Sequence, residues 1–525
     1  MDCPSDSRAL ATHHLDVSDA LHVLRESPGD KRTSWFVSCL KLPLTVWAGR
    51  ATINTLPEEV LLLIFHFDCI DRVKFVDRVR HLSWNDLRWT SLVCVCRRWR
   101  SVVFASPNFL DLRLVCGPTT RVELTGIWPP IPIIIRDLVG LSMPEAYDFE
   151  AAIVHPDRVC QIDLSGLTLS DLQRLASTMQ EPFSSLIHLR LDLSTRGYGH
   201  AVPSLPDGFL GGSSPRLQSL VLNYVAFPAL PKLLLSATDL VRVEIWEFPH
   251  SISTGCISPE EIVSGLALSA NLKFLAIGFG LIHSCPDMES RRPPPPMRAV
   301  LPLLTRFVFQ GSSKYLDDFL ARIDVPSLDS IIITFFSQPI SDIPQLARLM
   351  RRTTRFQTLN EGHVTFSKYG VSLESLPPTI PFVEMEMSGL RITFREHKWG
   401  HSCLAQVLIT LTSLFPSIYI VERLYIYGLL YFPPQWDGII AWPEILRLLT
   451  AVKDLYACRK FAECIAHALQ ELVGEEVTDV LPTLRNFFVE ELESLGPVQE
   501  AIRRFVAARQ LSGRPVVISP WKKKR

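Results

Sequence analysis

A short apolar pattern recurs along most of this chain and constrains its fold more than any other feature. Each copy consists of an apolar residue, two others, an apolar residue, one other and a third apolar residue. The copies are Val159-Ile162-Leu164, Leu186-Leu189-Leu191, Leu217-Leu220-Leu222, Leu240-Val243-Ile245, Leu272-Leu275-Ile277, Leu304-Phe307-Phe309, Leu328-Ile331-Ile333, Phe382-Met385-Met387, Val421-Leu424-Ile426, Val452-Leu455-Ala457 and Leu484-Phe487-Val489. Most begin about 23 to 32 residues after the preceding copy, a spacing typical of repeat proteins.

Helix-like stretches, such as 170–180, 258–269 and 461–473, separate the copies. This alternation resembles a leucine-rich repeat, which implies an α/β solenoid whose units stack because none can bury its own apolar side. The asparagine that the family carries after the third apolar position is largely missing, so we expect an irregular solenoid. Candidate first strands are 110–114 and 131–135, and a helix at 497–510 is expected to cap the C-terminus. The alternative is a generic α/β domain.

Two helix-like segments precede the repeats. The first, 56–65, has Pro57 in its first turn, where a missing amide proton costs no hydrogen bond, followed by acidic residues that the helix dipole favours. The second, 89–104, carries a broad apolar stripe and is expected to end before Pro107. Cys94 and Cys96 lie too close together for a typical zinc ligand pair, so we expect both to pack in a core.

Two clusters in these segments follow a common order. They are Leu56-Pro57, Glu59, Val60-Leu61 and Ile64-Phe65, then Val95-Cys96-Arg97-Arg98-Trp99 and Pro107-Asn108-Phe109-Leu110. Together they resemble the F-box, and the amino-acid sequence of the second cluster is similar to that in the large F-box families of mushroom-forming fungi. The resemblance covers about a tenth of the chain. The charged stretch 66–88 between the clusters is longer than the family usually has.

The resemblance implies that a small all-α F-box binds a Skp-family adaptor and, through it, a cullin in an SCF-type cullin–RING ubiquitin ligase. The residues it assigns to the adaptor are Leu56, Pro57, Val60, Leu61, Ile64, Phe65, Leu92, Val95, Cys96, Trp99 and Val102. The expected organisation is a poorly ordered segment at 1–50, the F-box at 51–110, the α/β solenoid at 111–512 and a basic tail at 513–525. An ordinary helical cap on the repeats is the alternative.

Residues that flank the middle positions of the predicted strands should face the concave surface of a solenoid, where a target protein would bind. They are Arg190, Asp192, Asn223, Glu244, Trp246, Gln310, Glu386, Tyr425, Tyr427 and Glu490. The large residues Trp246, Tyr425 and Tyr427 are of the kind that anchors protein interfaces. Each could equally be a half-buried structural residue.

Composition excludes several other classes of protein. The formal net charge of −1 argues against a nucleic-acid surface, and no apolar run is long enough to span a membrane. The 12 cysteines are scattered, as is usual for buried thiols in a reducing compartment, so we expect an intracellular protein in the cytoplasm or nucleus. No motif indicates a catalytic site or a cofactor.

His397, His401 and Cys403 have a spacing that could hold a metal ion, but Trp399-Gly400 interrupts any helix there, and a charged loop is expected. The proline run at 291–296 is expected to be a spacer, and the basic residues 522–525 a solvated terminus. The leading hypothesis is a non-catalytic substrate receptor of a ubiquitin ligase. The alternatives are a repeat scaffold that meets no ligase and, more remotely, an unrecognised enzyme. Solvent accessibility of Leu56, Ile64 and Trp99 would favour the receptor.

Overall fold

A computed structural model describes most of the chain. The described residues are 53, 56–70, 88–107, 109–116, 131–136, 153–194, 204–246, 257–279, 298–336, 343–357, 361–367, 370–376, 389–395, 421–428, 442–472, 479–490 and 496–521. The chain divides into two compact units, Met1–Arg113 and Leu114–Arg525. The expected features at 1–50, 291–296, 382–387, 397–403 and 522–525 lie outside the described residues.

The first unit contains three described helices: α1 (Glu58–Ile70), α2 (Arg88–Val95) and α3 (Arg97–Ala105). The sequence predicts one helix over 89–104, but the structure breaks it at Cys96. The Cys96 backbone is extended, and its Sγ accepts a hydrogen bond from the Trp99 amide at 3.4 Å, so this residue caps α3. The expectation that Cys94 and Cys96 pack in a core is wrong, since Cys94 is exposed and Cys96 is half-buried.

The second unit is a mixed α/β fold built on one open sheet of 16 strands, most of them parallel. In spatial order the strands are β1 (Leu114–Cys116), β2 (Ile133–Arg136), β3 (Val159–Leu167), β4 (His188–Leu193), β5 (Ser219–Asn223), β6 (Arg242–Trp246), β7 (Phe274–Gly278), β9 (Arg306–Gly311), β11 (Ser330–Phe336), β14 (Gly389–Arg395), β13 (Gly370–Leu376), β12 (Glu361–Ser367), β15 (Arg423–Gly428), β16 (Asp454–Ala457), β17 (Asn486–Glu490) and β18 (Val517–Trp521). Strands β8 (Ala299–Val300) and β10 (Ile323–Asp324) form a separate parallel pair.

The repeated apolar pattern falls on the strands in register. In most copies, the third apolar residue pairs with its equivalent on the next strand, as in Leu191 with Leu222 and Leu222 with Ile245. The second apolar residues pair in the same way. Both rows are buried and belong to one continuous core. Chain order therefore becomes spatial order, because each new parallel strand is placed beside the previous one.

Strands β12, β13 and β14 interrupt this progression. They form an antiparallel meander in which β14 pairs with β11 and β12 pairs with β15, both in parallel. The sequence pattern predicts a further parallel strand around 382–387 instead, and that stretch lies outside the described residues. The apolar row still crosses the meander through Ile392, Leu373 and Val364, so the core continues.

The helices of the second unit follow the strands. They are α4 (Leu169–Thr178), α5 (Leu230–Ser236), α6 (Pro259–Leu266), α7 (Ser313–Arg322), α8 (Pro344–Arg352), α9 (Thr354–Gln357), α10 (Trp442–Leu448), α11 (Arg459–Glu471) and α12 (Gly496–Leu511), with a 3₁₀ turn at Phe209–Gly212. The helices expected near 170–180, 258–269, 461–473 and 497–510 are thus confirmed. Thr168 and Ser258 each begin a helix with a reciprocal capping box, which satisfies otherwise unpaired amides.

The two ends of the repeat region differ from expectation. Residues 110–113 form no strand, and β1 begins only at Leu114. At the other end, the predicted tail at 513–525 contains β18, which pairs in parallel with β17 and so extends the sheet beyond the helix expected to cap it. Within the described part of the chain, none of the helices has the length and apolar character needed to cross a membrane.

Replacement of Phe309 by alanine tests the shared core. Phe309 is fully buried in the row between Ile277 and Ile333 and contacts the rings of Phe307 and Tyr315. We expect Phe309→Ala to lower the free energy of unfolding by about 3–5 kcal/mol in urea denaturation. Leu511→Ala, at a position that is 90% exposed, is the control and should change it by less than about 0.5 kcal/mol. Equal effects of the two variants would contradict the register described here.

Candidate binding surfaces

The three described helices of the first unit are held together by rings and by arginine side chains. The Phe65 and Trp99 ring centroids lie 4.7 Å apart, which joins α1 to α3. Arg98 donates from Nη2 to the Leu56 carbonyl oxygen at 2.5 Å, and Arg100 donates from Nε to the Val93 carbonyl oxygen at 2.9 Å. These arginines therefore bind backbone acceptors at the ends of neighbouring segments and fix their positions.

The residues that the sequence assigns to an adaptor differ in accessibility. Four are buried in the core of the unit: Leu61, Phe65, Leu92 and Val102. Four are half-buried: Leu56, Val60, Cys96 and Trp99. Three are exposed: Pro57, Ile64 and Val95. The buried residues hold the helices together, so a partner would meet the other seven. Of the three residues whose accessibility was to favour docking, Ile64 is exposed, while Leu56 and Trp99 are half-buried.

In the second unit, the predicted target residues lie on the sheet face opposite the core, which we call the open face. They are Arg190, Asp192, Glu244, Trp246, Gln310, Tyr425 and Tyr427. The reason is the alternation of side chains along a strand, which sends the neighbours of each buried residue to the other side. Asn223 and Glu490 lie on the same face, and Glu386 lies outside the described residues. Each described member of the set is half-buried.

The open face of β3 to β5 is charged. Arg190 lies between two carboxylates, with its Nε 3.8 Å from Asp163 Oδ1 and its Nη2 3.3 Å from Asp192 Oδ2. Asn223 donates to the same Asp192 oxygen at 3.1 Å. Burial is the main cause that lowers the pKa of the neighbouring His188 below its usual range. These ion pairs and the Asn223 hydrogen bond link polar groups across the three strands.

The open face of β6 to β9 combines arginines with aromatic rings. The Arg242 guanidinium lies 4.4 Å from the Phe274 ring centroid and the Arg306 guanidinium lies 5.2 Å from it, so one ring contacts two cations. On the adjacent row, Trp246 pairs in register with Gly278. A Cβ atom at Gly278 would lie 2.1 Å from Trp246 Cε3, so the absence of a side chain there makes room for the indole.

The open face of the four adjacent strands β12, β15, β16 and β17 carries a stack of aromatic rings. His363, Tyr425, Tyr456 and Phe488 occupy one row of paired positions. Their successive ring centroids lie 4.6, 4.2 and 4.3 Å apart, and their planes are within 12° of parallel. Parallel strands about 4.8 Å apart bring equivalent side chains to this spacing, so the backbone register produces the stack.

Two further rings extend this stack. Tyr427 lies nearly parallel to Tyr425, with centroids 6.2 Å apart. Trp521, on β18, lies 6.0 Å from Tyr425, 5.7 Å from Tyr427 and 5.6 Å from Tyr456. Because Trp521 is almost equally far from Tyr425 and Tyr456, which stack on each other, its ring lies beside the stack and not within it. Its plane is inclined by 54° to 68° to the tyrosine rings.

Carboxylates border the aromatic rings. Glu361 Oε1 lies 3.2 Å from His363 Nε2, and this hydrogen bond is the main cause that lowers the pKa of Glu361. Burial, followed by nearby charges, raises the pKa values of Tyr425 and Tyr427 well above their usual range. Their hydroxyl groups therefore stay protonated at neutral pH and can both donate and accept hydrogen bonds.

Sequence analysis identified only part of this cluster. Tyr456 and Phe488 lie between the second and third apolar residues of their copies, so the rule that selected Tyr425 also selects them. His363 and Trp521 lie on strands that carry no recognised copy of the pattern. For those two residues, pairing of β12 with β15 and of β17 with β18 supplies information that the sequence pattern lacks.

No protein-family model matches the chain, and no curated protein matches it. The described residues also include no group of three or more histidine, cysteine, aspartate or glutamate side chains that could share a metal ion. The exposed apolar residues of the helical unit and the open face of the sheet are the candidate binding surfaces.

Gly278→Ala tests the position of Trp246. The added methyl group must displace the indole, so we expect a loss of about 1–3 kcal/mol in unfolding free energy. Gly278→Ala should also change the tryptophan emission of the wild-type protein. The same substitution should leave the emission of a Trp246→Phe variant unchanged. Gly496→Ala is the control, because nothing lies within 4 Å of a Cβ atom there. Full stability of Gly278→Ala would show that the indole does not occupy this position.

Glu361→Gln tests the carboxylate beside the aromatic stack. The folded-state pKa of Glu361 lies below its ordinary value of 4.5, so the ionised group stabilises the fold above that pH. We expect the free energy of unfolding of the wild type to exceed that of Glu361→Gln by about 1 kcal/mol at neutral pH. The gap should shrink as pH falls below 4.5 and through the folded-state pKa. Urea denaturation across this range measures it, with the exposed Glu463→Gln as control. A gap that widens on acidification would refute the assignment.

Proposed function

We propose that this protein is a substrate-recognition subunit of an SCF-type cullin–RING ubiquitin ligase. In this proposal the helical unit is an F-box that binds a Skp-family adaptor, and the sheet unit is an irregular leucine-rich-repeat solenoid that binds the target protein. The support comes from the F-box-like order of residues at 56–110 and from the in-register addition of one strand for most copies of the apolar pattern.

One observation carries the proposal: the helical unit has its own core and still leaves large apolar side chains uncovered. Ile64 is 40% exposed, Val95 is 58% exposed and Phe109 is 46% exposed, although Leu61 and Phe65 beside them are buried. Ile64 lies on α1, Val95 at the end of α2 and Phe109 after α3. Large apolar side chains left exposed are typical of a surface that a partner covers. The F-box resemblance independently assigns Ile64 and Val95 to the adaptor.

The open face of the sheet suits target recognition. It presents polar and aromatic side chains that the strand register holds in fixed rows. Tyrosine and tryptophan, which occur on this face, are residue types that are enriched at protein interfaces. A receptor of this kind performs no covalent step. It holds a target near the ubiquitin carrier and so raises the local concentration of the reacting lysine side chains.

The adaptor-binding step can be tested with the full chain and a purified Skp-family adaptor. We expect a complex in a pull-down assay, and we expect Ile64→Asp and Val95→Asp each to weaken it by about tenfold or more, because each buries a charge in an apolar contact. Both positions are exposed in the free protein, so the variants should stay folded.

Leu268→Asp is the matched control, since Leu268 is an exposed apolar residue in the sheet unit and, at 58%, is as exposed as Val95. It should leave the complex intact. If the wild type fails to bind the adaptor while its unfolding transition is normal, the helices serve only as part of a repeat scaffold. If Leu268→Asp weakens binding as much as Ile64→Asp does, the adaptor does not use the proposed surface.

A further inference from the structure

Five aromatic residues on neighbouring strands form a cluster on the open face, and we call them the aromatic platform. They are Tyr425, Tyr427, Tyr456, Phe488 and Trp521. Three of them stack in one row and the other two pack beside that row. The rings restrict one another and stand on paired strands, so a ligand would meet a surface that is already ordered. Binding to such a surface costs little side-chain entropy.

Three carboxylates lie around the platform, those of Glu361, Asp454 and Glu490. The Glu361 carboxylate lies 3.7 Å from Arg423 Nη1 and 3.2 Å from His363 Nε2. Asp454 Oδ1 accepts a hydrogen bond from the Asn486 amide group at 2.7 Å, and Glu490 Oε2 accepts one from the Arg459 backbone amide at 3.1 Å. Within the described residues, no lysine or arginine side chain forms an ion pair with Asp454 or Glu490.

Arg423 offsets one of the three carboxylates. Asp454 and Glu490 keep carboxylates that no described lysine or arginine side chain pairs with, and these two groups lie beside the rings. Lys460 lies beside Gly428, at the end of β15, and so borders the platform at its edge. Its neighbour Arg459 is exposed at the start of α11. A ligand with guanidinium groups could meet both the carboxylates and the rings.

We propose that the aromatic platform binds an extended, arginine-bearing segment of the target protein. An arginine side chain contacts the Trp521 ring, which lies beside the stack, through its planar guanidinium group, which stacks on aromatic rings better than an ammonium group does. Its N–H groups donate to Asp454, to Glu490 or to the protonated tyrosine hydroxyl groups. This inference rests on the proposed function for the statement that the segment belongs to a ligase target.

Fluorescence anisotropy of labelled peptides with the full-length protein tests the inference. The probes are peptides of four Gly-Ser-Arg, Gly-Ser-Lys, Gly-Ser-Glu or Gly-Ser-Pro repeats. We expect the arginine peptide to bind more tightly than the lysine peptide, and the glutamate and proline peptides to show no saturable binding. Raising the salt concentration should weaken the arginine complex because exposed charges are screened.

Variants locate the site. We expect Trp521→Ala to weaken binding of the arginine peptide by about tenfold, and Trp521→Phe to restore part of the loss. The double variant Asp454→Asn/Glu490→Gln should weaken it by about fivefold or more. The matched control is Glu463→Gln/Glu471→Gln, which removes the same charge from exposed positions on α11 and should change nothing. If Trp521→Ala unfolds, the double variant still tests the site.

Several results would overturn the inference. These are equal binding of all four peptides, preference for the glutamate or proline peptide, and equal losses in the double variant and its control. A dimer in size-exclusion chromatography that Trp521→Ala abolishes would show that a second copy of the chain covers the platform. The adaptor pull-down on the same preparations separates the two proposals. Adaptor binding without peptide binding defeats only this inference, and peptide binding without adaptor binding defeats only the ligase role of the platform.

Discussion

The fold of the larger unit depends on one constraint, the in-register pairing of apolar residues across parallel strands. Two rows of such residues run beneath most of the sheet, and each residue is buried between its equivalents on the strands to either side. No strand could bury these side chains alone, so the free energy of burial is obtained only when neighbours pair. The helices complete the core from the same side.

The same constraint determines the chemistry of the open face. Once the apolar rows fix the register, every residue between them has a fixed neighbour on the next strand. Arg190 thereby meets Asp163, and Tyr425 meets both His363 and Tyr456. Stability and surface chemistry are therefore linked, because a one-residue shift would bury the charged row and expose the core. The positions of the aromatic rings are a consequence of burial on the opposite face.

Much of this arrangement was predictable from sequence, and the exceptions have physical reasons. Most apolar copies fall on strands because their period matches one strand per stacked unit. The break at Cys96 was missed, since a side-chain cap inside an apolar stripe leaves no trace in periodicity. The β12–β14 meander was missed because its strands pair antiparallel and carry no recognised copy of the apolar pattern. For the candidate binding residues, the alternation rule placed Tyr425 correctly on the open face, but only strand pairing brings His363 and Trp521 beside it.

The meander also has a geometric consequence. It contains three strands whose directions alternate, so β14 and β12 share the direction of the parallel strands on either side, whereas an insertion of two strands would leave one neighbour reversed. The alternation of buried and open positions also passes through it unchanged, from Ile333 to Ile426. Removing the meander would bring β11 beside β15. The two strands would still run in the same direction, and their buried residues would still lie on the same face of the sheet. The meander thus adds about 14 Å along the sheet between the charged network and the stacked tyrosines, and its last strand in the sheet order contributes His363 to that stack.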